Sequence, residues 1–214
     1  MASEKTRAAD VSAGIRIEWF STGWMVVEAA TAVTAGVSAH SIALVAFGAD
    51  SVIEIVASAV LLWRLYVEAR GEPAEKIIAA EPAASWVVGI ALLALGLYIV
   101  VASVHSLWNR SGATTSALGI GITVTSSILM PFLARAKKRI ARRIGSKSLE
   151  SDGSCSMVCA YMAWIVLAGV LATALLGWWW LDFVAALGLV YFVVHEGGEA
   201  IGDARNTRTE DGAP

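Results

Sequence analysis

Charge is sparse in this chain: Lys and Arg number 16 and Asp and Glu 18 among 214 residues, 57% of which are hydrophobic, and the mean hydropathy is +0.67. That balance excludes a soluble domain of ordinary composition and indicates a membrane protein. The net charge is only −2, so no excess of either sign points to nucleic acid, and the charges inform through their positions. Cysteine is nearly missing: two residues inside an apolar stretch do not build a secreted disulfide framework. A secretory leader pattern is absent as well, because "MASEKTRAADVSAGIRIEW" mixes charges of both signs before the first apolar run. Residues 1–17 therefore read as a short retained cytosolic tail. The Gly-rich "LGIGI" near residue 120 is preceded by no strand, which makes it a close helix-packing element and not a phosphate loop.

What remains is apolar and segmented. A bilayer core of about 30 Å takes roughly 20 helical residues to cross, and six stretches meet that length, near 18–37, 40–64, 85–106, 113–134, 152–174 and 178–200. The stretches between them carry Pro, Gly and charge, as in "EARGEPAEK", "NRSGA" and the turn at Gly177. The expected architecture is all-α and polytopic: a six-helix membrane domain over 18–201, with a cytosolic tail over 202–214. All but one of the 16 Lys and Arg fall on one side of this arrangement, Arg110 being the exception. The positive-inside rule then places both termini and the loop "RAKKRIARRIGSK" in the cytoplasm, with Trp108 and Trp178 to Trp180 at the outer interface. The basic loop also suits contact with anionic lipid.

The second and fifth spans repeat one another. At an offset of 105 residues Ser41 meets Ser146, Leu44 meets Leu149, Ser51 meets Ser156, Asp50 meets Cys155 and Glu54 meets Cys159. The variable pair is spaced i and i+4 in both, so each span aims two side chains to one face. The repeat matches the two deep carboxylates of one span to the chain's two cysteines. Asp50 lies nine residues inside Ser41, about 13 Å along a helix, and Cys155 lies similarly deep. An ionisable group at that depth must face the bundle interior and find a partner, either a transported ion or a crevice lined by Ser, Thr and water. Cysteines alone are as readily small buried hydrophobes; their register with the carboxylates makes them candidate ligands.

These motifs resemble the cation diffusion facilitators, a family of six-span metal exporters, over nearly all of residues 15–203. "SIALVAFGADSVIE" is similar to that family's S-x-A-L-x5-D-S-x-x-D, with Glu54 for the last Asp, and "SKSLESDGSCSMVC" resembles S-x-x-L-x-A-D-x-x-H-S-x-x-D, including Asp152, with Cys155 in the His place and Cys159 in the Asp place. "WWLDFVAALGLV" resembles the W-x-D-P-like start of the family's sixth span. The resemblance implies a transport site of four ligands, Asp50, Glu54, Cys155 and Cys159, exchange of the ion against protons, and a homodimer in the cytoplasmic (inner) membrane. The chain departs from the family in that only "GDARNTRTEDGAP" comes after the sixth span, where the family usually appends a cytosolic metal-sensing domain, so a compact member is expected.

Two carboxylates and two thiolates suit tetrahedral coordination of Zn²⁺ or a softer ion such as Cd²⁺ better than Mg²⁺, Ca²⁺ or Mn²⁺. Thiolate and carboxylate ligands bind deprotonated, so metal and protons compete for the same atoms, which makes antiport the natural coupling. The ion is then a substrate, and no prosthetic group is expected. Accessory candidates are Glu28, a proton relay, further ligand or Ser/Thr-bonded carboxylate; Asp152, at the mouth of the fifth span; and His40 and His105, near outer ends. His195 and Glu196 share that ambiguity. Two rival readings stay open: a membrane thiol oxidoreductase using Cys155 and Cys159, against which stands their C-x-x-x-C spacing within a helix, and a non-transporting scaffold.

Overall fold

The computed structural model describes residues 2–70, 81–109, 113–114, 116–178 and 180–210. Arg110, Trp179 and most of the connections expected around 71–80 and 110–112 lie outside them. Six helices succeed one another: α1 (Ala2–Ala39), α2 (Ile42–Ala69), α3 (Glu81–Asn109), α4 (Ala117–Ile144), α5 (Lys147–Leu176) and α6 (Leu181–Glu210). Among the described residues there is no strand, as lipid demands of a chain that is not a closed barrel.

Five helices, α2 to α6, are long and apolar enough to cross a membrane. α1 falls outside that group because its first half is polar and its apolar half carries Glu18 and Glu28, yet it packs lengthwise against α2 and α4. The helices outrun the apolar stretches at the polar ends. No proline interrupts residues 2–17, and α1 continues straight through that tail; α6 likewise continues past 202.

The basic segment expected as a loop is mostly helix. α4 runs on through "RAKKRIARRI" to Ile144, and the turn to α5 takes only Gly145 and Ser146. Gly145 has φ 71 and its N–H donates to the Ala141 carbonyl, a left-handed cap that glycine adopts without a Cβ penalty. Ser146 then opens α5, accepting from the Leu149 N–H at 3.3 Å. Ser41 accepts from Leu44 N–H at 3.1 Å in the same way at the start of α2. The repeated Ser-x-x-Leu of the two spans is thus a pair of helix N-caps, which set where each helix starts and so how deep its later residues lie.

Packing places α2 centrally, against α1, α3, α5 and α6, with α4 paired to α5 and α3 to α6. Polarity is inverted relative to a soluble bundle: Glu18, Glu28, Asp50, Lys137 and Asp182 are buried, while Leu97, Phe132 and Tyr191 lie exposed on the outer surface, toward lipid. Pro131 sits inside α4 and has no N–H for the Ser127 carbonyl one turn earlier. Trp164 of α5 supplies the donor instead, its indole N–H lying 3.0 Å from that carbonyl. At the end opposite the basic turn, the Asp182 carboxylate of α6 accepts from the Ile42 N–H at 2.9 Å and from the Ser41 hydroxyl. It satisfies N-terminal donors of α2 that nothing within that helix can reach.

Candidate functional site

α2 and α5 run antiparallel, and this decides which repeated residues meet. Each helix carries its pair at i and i+4, so the second members, Glu54 and Cys159, arrive at one level from opposite ends. The first members, Asp50 and Cys155, fall a turn to either side. The Cys159 thiol donates to Glu54 Oε2 at 2.8 Å and lies 3.7 Å from Asp50 Oδ2. One ligand atom from each of Asp50, Glu54 and Cys159 lies within 4.8 Å of the others, and all three residues are buried. The other oxygens, Asp50 Oδ1 and Glu54 Oε1, are buried without a hydrogen-bond partner. Buried carboxylate oxygens are normally satisfied, so this trio is unsatisfied in the way a cation would relieve.

Small residues make the approach possible. Ala43 and Ala46 of α2 and Ala160 and Ala163 of α5 are buried in the same core as Cys159, together with Phe47 and Met162. Side chains of that size let membrane helices close on one another.

Cys155 is a free thiol, half-buried, and stands outside this group. A step of four residues moves it about 6 Å along α5 toward the basic end. Glu196 of α6 lies within electrostatic range of both Cys155 and Asp50, and its Oε1 is buried without a hydrogen-bond partner. Of His195 and Glu196, both left ambiguous in the sequence, it is Glu196 that lies near the trio.

Glu28 is fully buried between three helices. Its Oε1 accepts from Ser51 of α2 at 2.7 Å, and its Oε2 accepts from Ser126 of α4 and from the Trp24 indole at 3.2 Å. Serine and indole donors thus occupy the carboxylate. Asp152 pairs at 2.5 Å with Lys137 of α4. His40 and His105 are exposed and far along their helices from the trio: His40 sits in the α1–α2 turn with φ 54, and His105 is within 2.9 Å of the Asn109 side-chain amide. His195 is exposed beside Glu199 at 3.5 Å.

Sequence reasoning passed over Glu18 and Lys137, which form a buried ion pair at 3.0 Å. Lys137 is one of a run of basic residues, and nothing in composition distinguishes it. Only the phase of α4, continued through the basic segment, turns it inward.

Known proteins resemble this chain over most of its length. Transmembrane protein 163 of Xenopus laevis is 26% identical over 151 residues, which is 71% of this chain and 52% of that protein. An uncharacterised transporter of Synechocystis is 23% identical over 177 residues, 81% of this chain and 57% of its own length. The chain thus spans a little over half the length of these relatives. A profile of the cation efflux transmembrane domain matches residues 19–206, and over that span the chain belongs to the cation efflux family, a family of metal-cation transporters.

Proposed function

We propose that this protein exports a divalent transition metal, Zn²⁺ or a softer ion such as Cd²⁺, in exchange for protons, and that Asp50, Glu54 and Cys159 hold the ion. The observation that carries this is the trio itself: three ligand atoms within 4.8 Å on two helices of a cation efflux domain, with two carboxylate oxygens left without partners. A thiolate beside two carboxylates favours borderline and soft ions. Each of these groups sheds a proton to bind metal, which couples the ion to protons moving the other way. Cys155, one turn toward the basic end, is the fourth donor, taken up as the ion passes between the trio and that end.

On this reading both termini and the basic α4–α5 turn face the cytoplasm of an inner-membrane protein, by the positive-inside rule. Trp108, Trp178 and Trp180 are exposed at the opposite end, where aromatic side chains anchor to the interface. The functional unit is a homodimer in the bilayer. The thiol oxidoreductase is the weaker reading, since the Cys159 thiol is engaged by Glu54 with Asp50 alongside, and Cys155 stands a helical turn away. The test is flux into proteoliposomes with a panel of divalent ions under an imposed pH gradient. Zinc or cadmium uptake that tracks the gradient is expected; no ion movement from correctly inserted protein would end the proposal.

A further inference from the structure

Lys137 is the odd member of the basic segment. Arg135, Arg139, Arg142 and Arg143 are exposed, whereas Lys137 is fully buried. A lysine near a helix end ordinarily extends its chain so that the ammonium reaches water. Here it turns inward, to 3.0 Å from Glu18 Oε2 of α1 and 2.5 Å from Asp152 Oδ2 of α5. Burying an ammonium is costly and is tolerated only with such counter-charges.

The helices are built to allow it. A Cβ on Gly153, next to Asp152, would lie 3.2 Å from the Ala134 carbonyl oxygen and 3.2 Å from Lys137 Cβ. Glycine therefore lets α5 approach α4 closely enough for the pair to form. The location also matters. Asp152 precedes Cys159 by seven residues, so the triad lies about 10 Å from the trio on the basic side. Beyond it, toward the basic end, Val11, Leu61, Leu65, Ala141, Ile144 and Leu149 close α1, α2, α4 and α5 into an apolar plug.

We propose that Lys137, clamped between Glu18 and Asp152, is the gate on the basic side of the transport path. Its ammonium holds the position of a cation between two carboxylates. A divalent ion arriving from that side replaces it, neutralising both carboxylates, while the released lysine swings out to water among its exposed neighbours. This rests on the transport path proposed above, but its test does not need a transported metal.

The test is the rate at which a membrane-impermeant thiol reagent labels Cys159 in the full chain, in a Cys155→Ser background, applied to each side of the membrane separately. Lys137→Met removes the clamp's cation and leaves two carboxylates facing one another. Labelling from the basic side should rise on the order of tenfold or more, because breaking a buried ion set by removing one partner is strongly unfavourable to the closed arrangement. Labelling from the other side should stay as it was, and Lys137→Arg should resemble the wild type. If Lys137→Met fails to reach the membrane, Glu18→Gln with Asp152→Asn strips the same clamp, with the same one-sided rise expected. Unchanged labelling from the basic side, or an equal rise from both sides, would overturn the gate. The metal flux assay reports separately on the trio.

Discussion

Glu54 and Cys159 stand 105 residues apart in sequence and 2.8 Å apart in space, carboxylate to thiol, at the centre of the bundle. They are also the two i+4 members of the sequence repeat. Each lies near the middle of its helix, equally far from its cap, Ser41 or Ser146, and mid-helix positions of antiparallel helices meet at one depth. Their partners Asp50 and Cys155 diverge to opposite sides of that level. The repeat that marks four residues as equivalent thus assembles three of them.

If the trio holds the substrate, Asp50→Asn and Glu54→Gln each remove an anionic ligand while keeping side-chain volume. Metal flux should fall by more than the roughly 10- to 100-fold that loss of a group merely supporting a ligand costs. The folded protein should be no less stable, because each change neutralises a buried carboxylate that lacks a full set of partners. Flux in proteoliposomes beside a thermal unfolding curve in detergent checks both halves.

The two cysteines should behave unequally. Cys159→Ser takes away the only thiol in the trio and should reduce both zinc and cadmium transport, whereas Cys155→Ser should be milder. Cys159→Asp should retain zinc and lower the cadmium-to-zinc ratio, since a carboxylate gains less than a thiolate from the softer ion. Competitive transport of the two ions decides it. Equal effects of the two serine variants would mean that Cys155 reaches the ion as fully as Cys159.

Much of the fold is legible in the sequence because lipid simplifies the problem. Apolar runs of a fixed minimum length locate the helices, and deep carboxylates such as Asp50 and Glu54 stand out against them. The basic segment is harder, since charge suggests a loop, while helix propensity through "RAKKRIARRI" continues α4 until Gly145 can cap it. Lys137 shows the limit most clearly. Its role depends on which way one helix face turns deep into the basic segment, and no local pattern carries that. Glu28 is ambiguous for a related reason: whether a deep carboxylate meets an ion or serine hydroxyls depends on Ser126, which lies 98 residues away.

Asp182 is expected to contribute to stability rather than to ion handling. Its carboxylate accepts from the Ser41 hydroxyl and the Ile42 N–H and thereby caps α2 from another helix. Asp182→Ala should cost about 1–2 kcal/mol, the upper part of the range for a lost N-cap. Since α2 carries two of the trio, flux should fall only through the loss of folded protein. Unfolding in detergent and flux normalised to folded protein separate these.

The Trp164–Ser127 hydrogen bond offers a test of the packing that can fail cleanly. Pro131 leaves the Ser127 carbonyl without its helical donor, and the Trp164 indole fills the gap from α5. Trp164→Phe keeps an aromatic ring but deletes the N–H, so it should destabilise the fold by roughly 0.6–1.7 kcal/mol, the range for hydrogen bonds between membrane helices. Pro131→Ala restores an N–H in α4 that can reach the same carbonyl. In that background the further change Trp164→Phe should cost markedly less, because the acceptor no longer depends on α5. The coupling between the two positions, measured by unfolding all four proteins of the double-mutant cycle, should therefore be clearly different from zero. Additive effects would show that the indole contributes packing alone and that Ser127 is satisfied by other means.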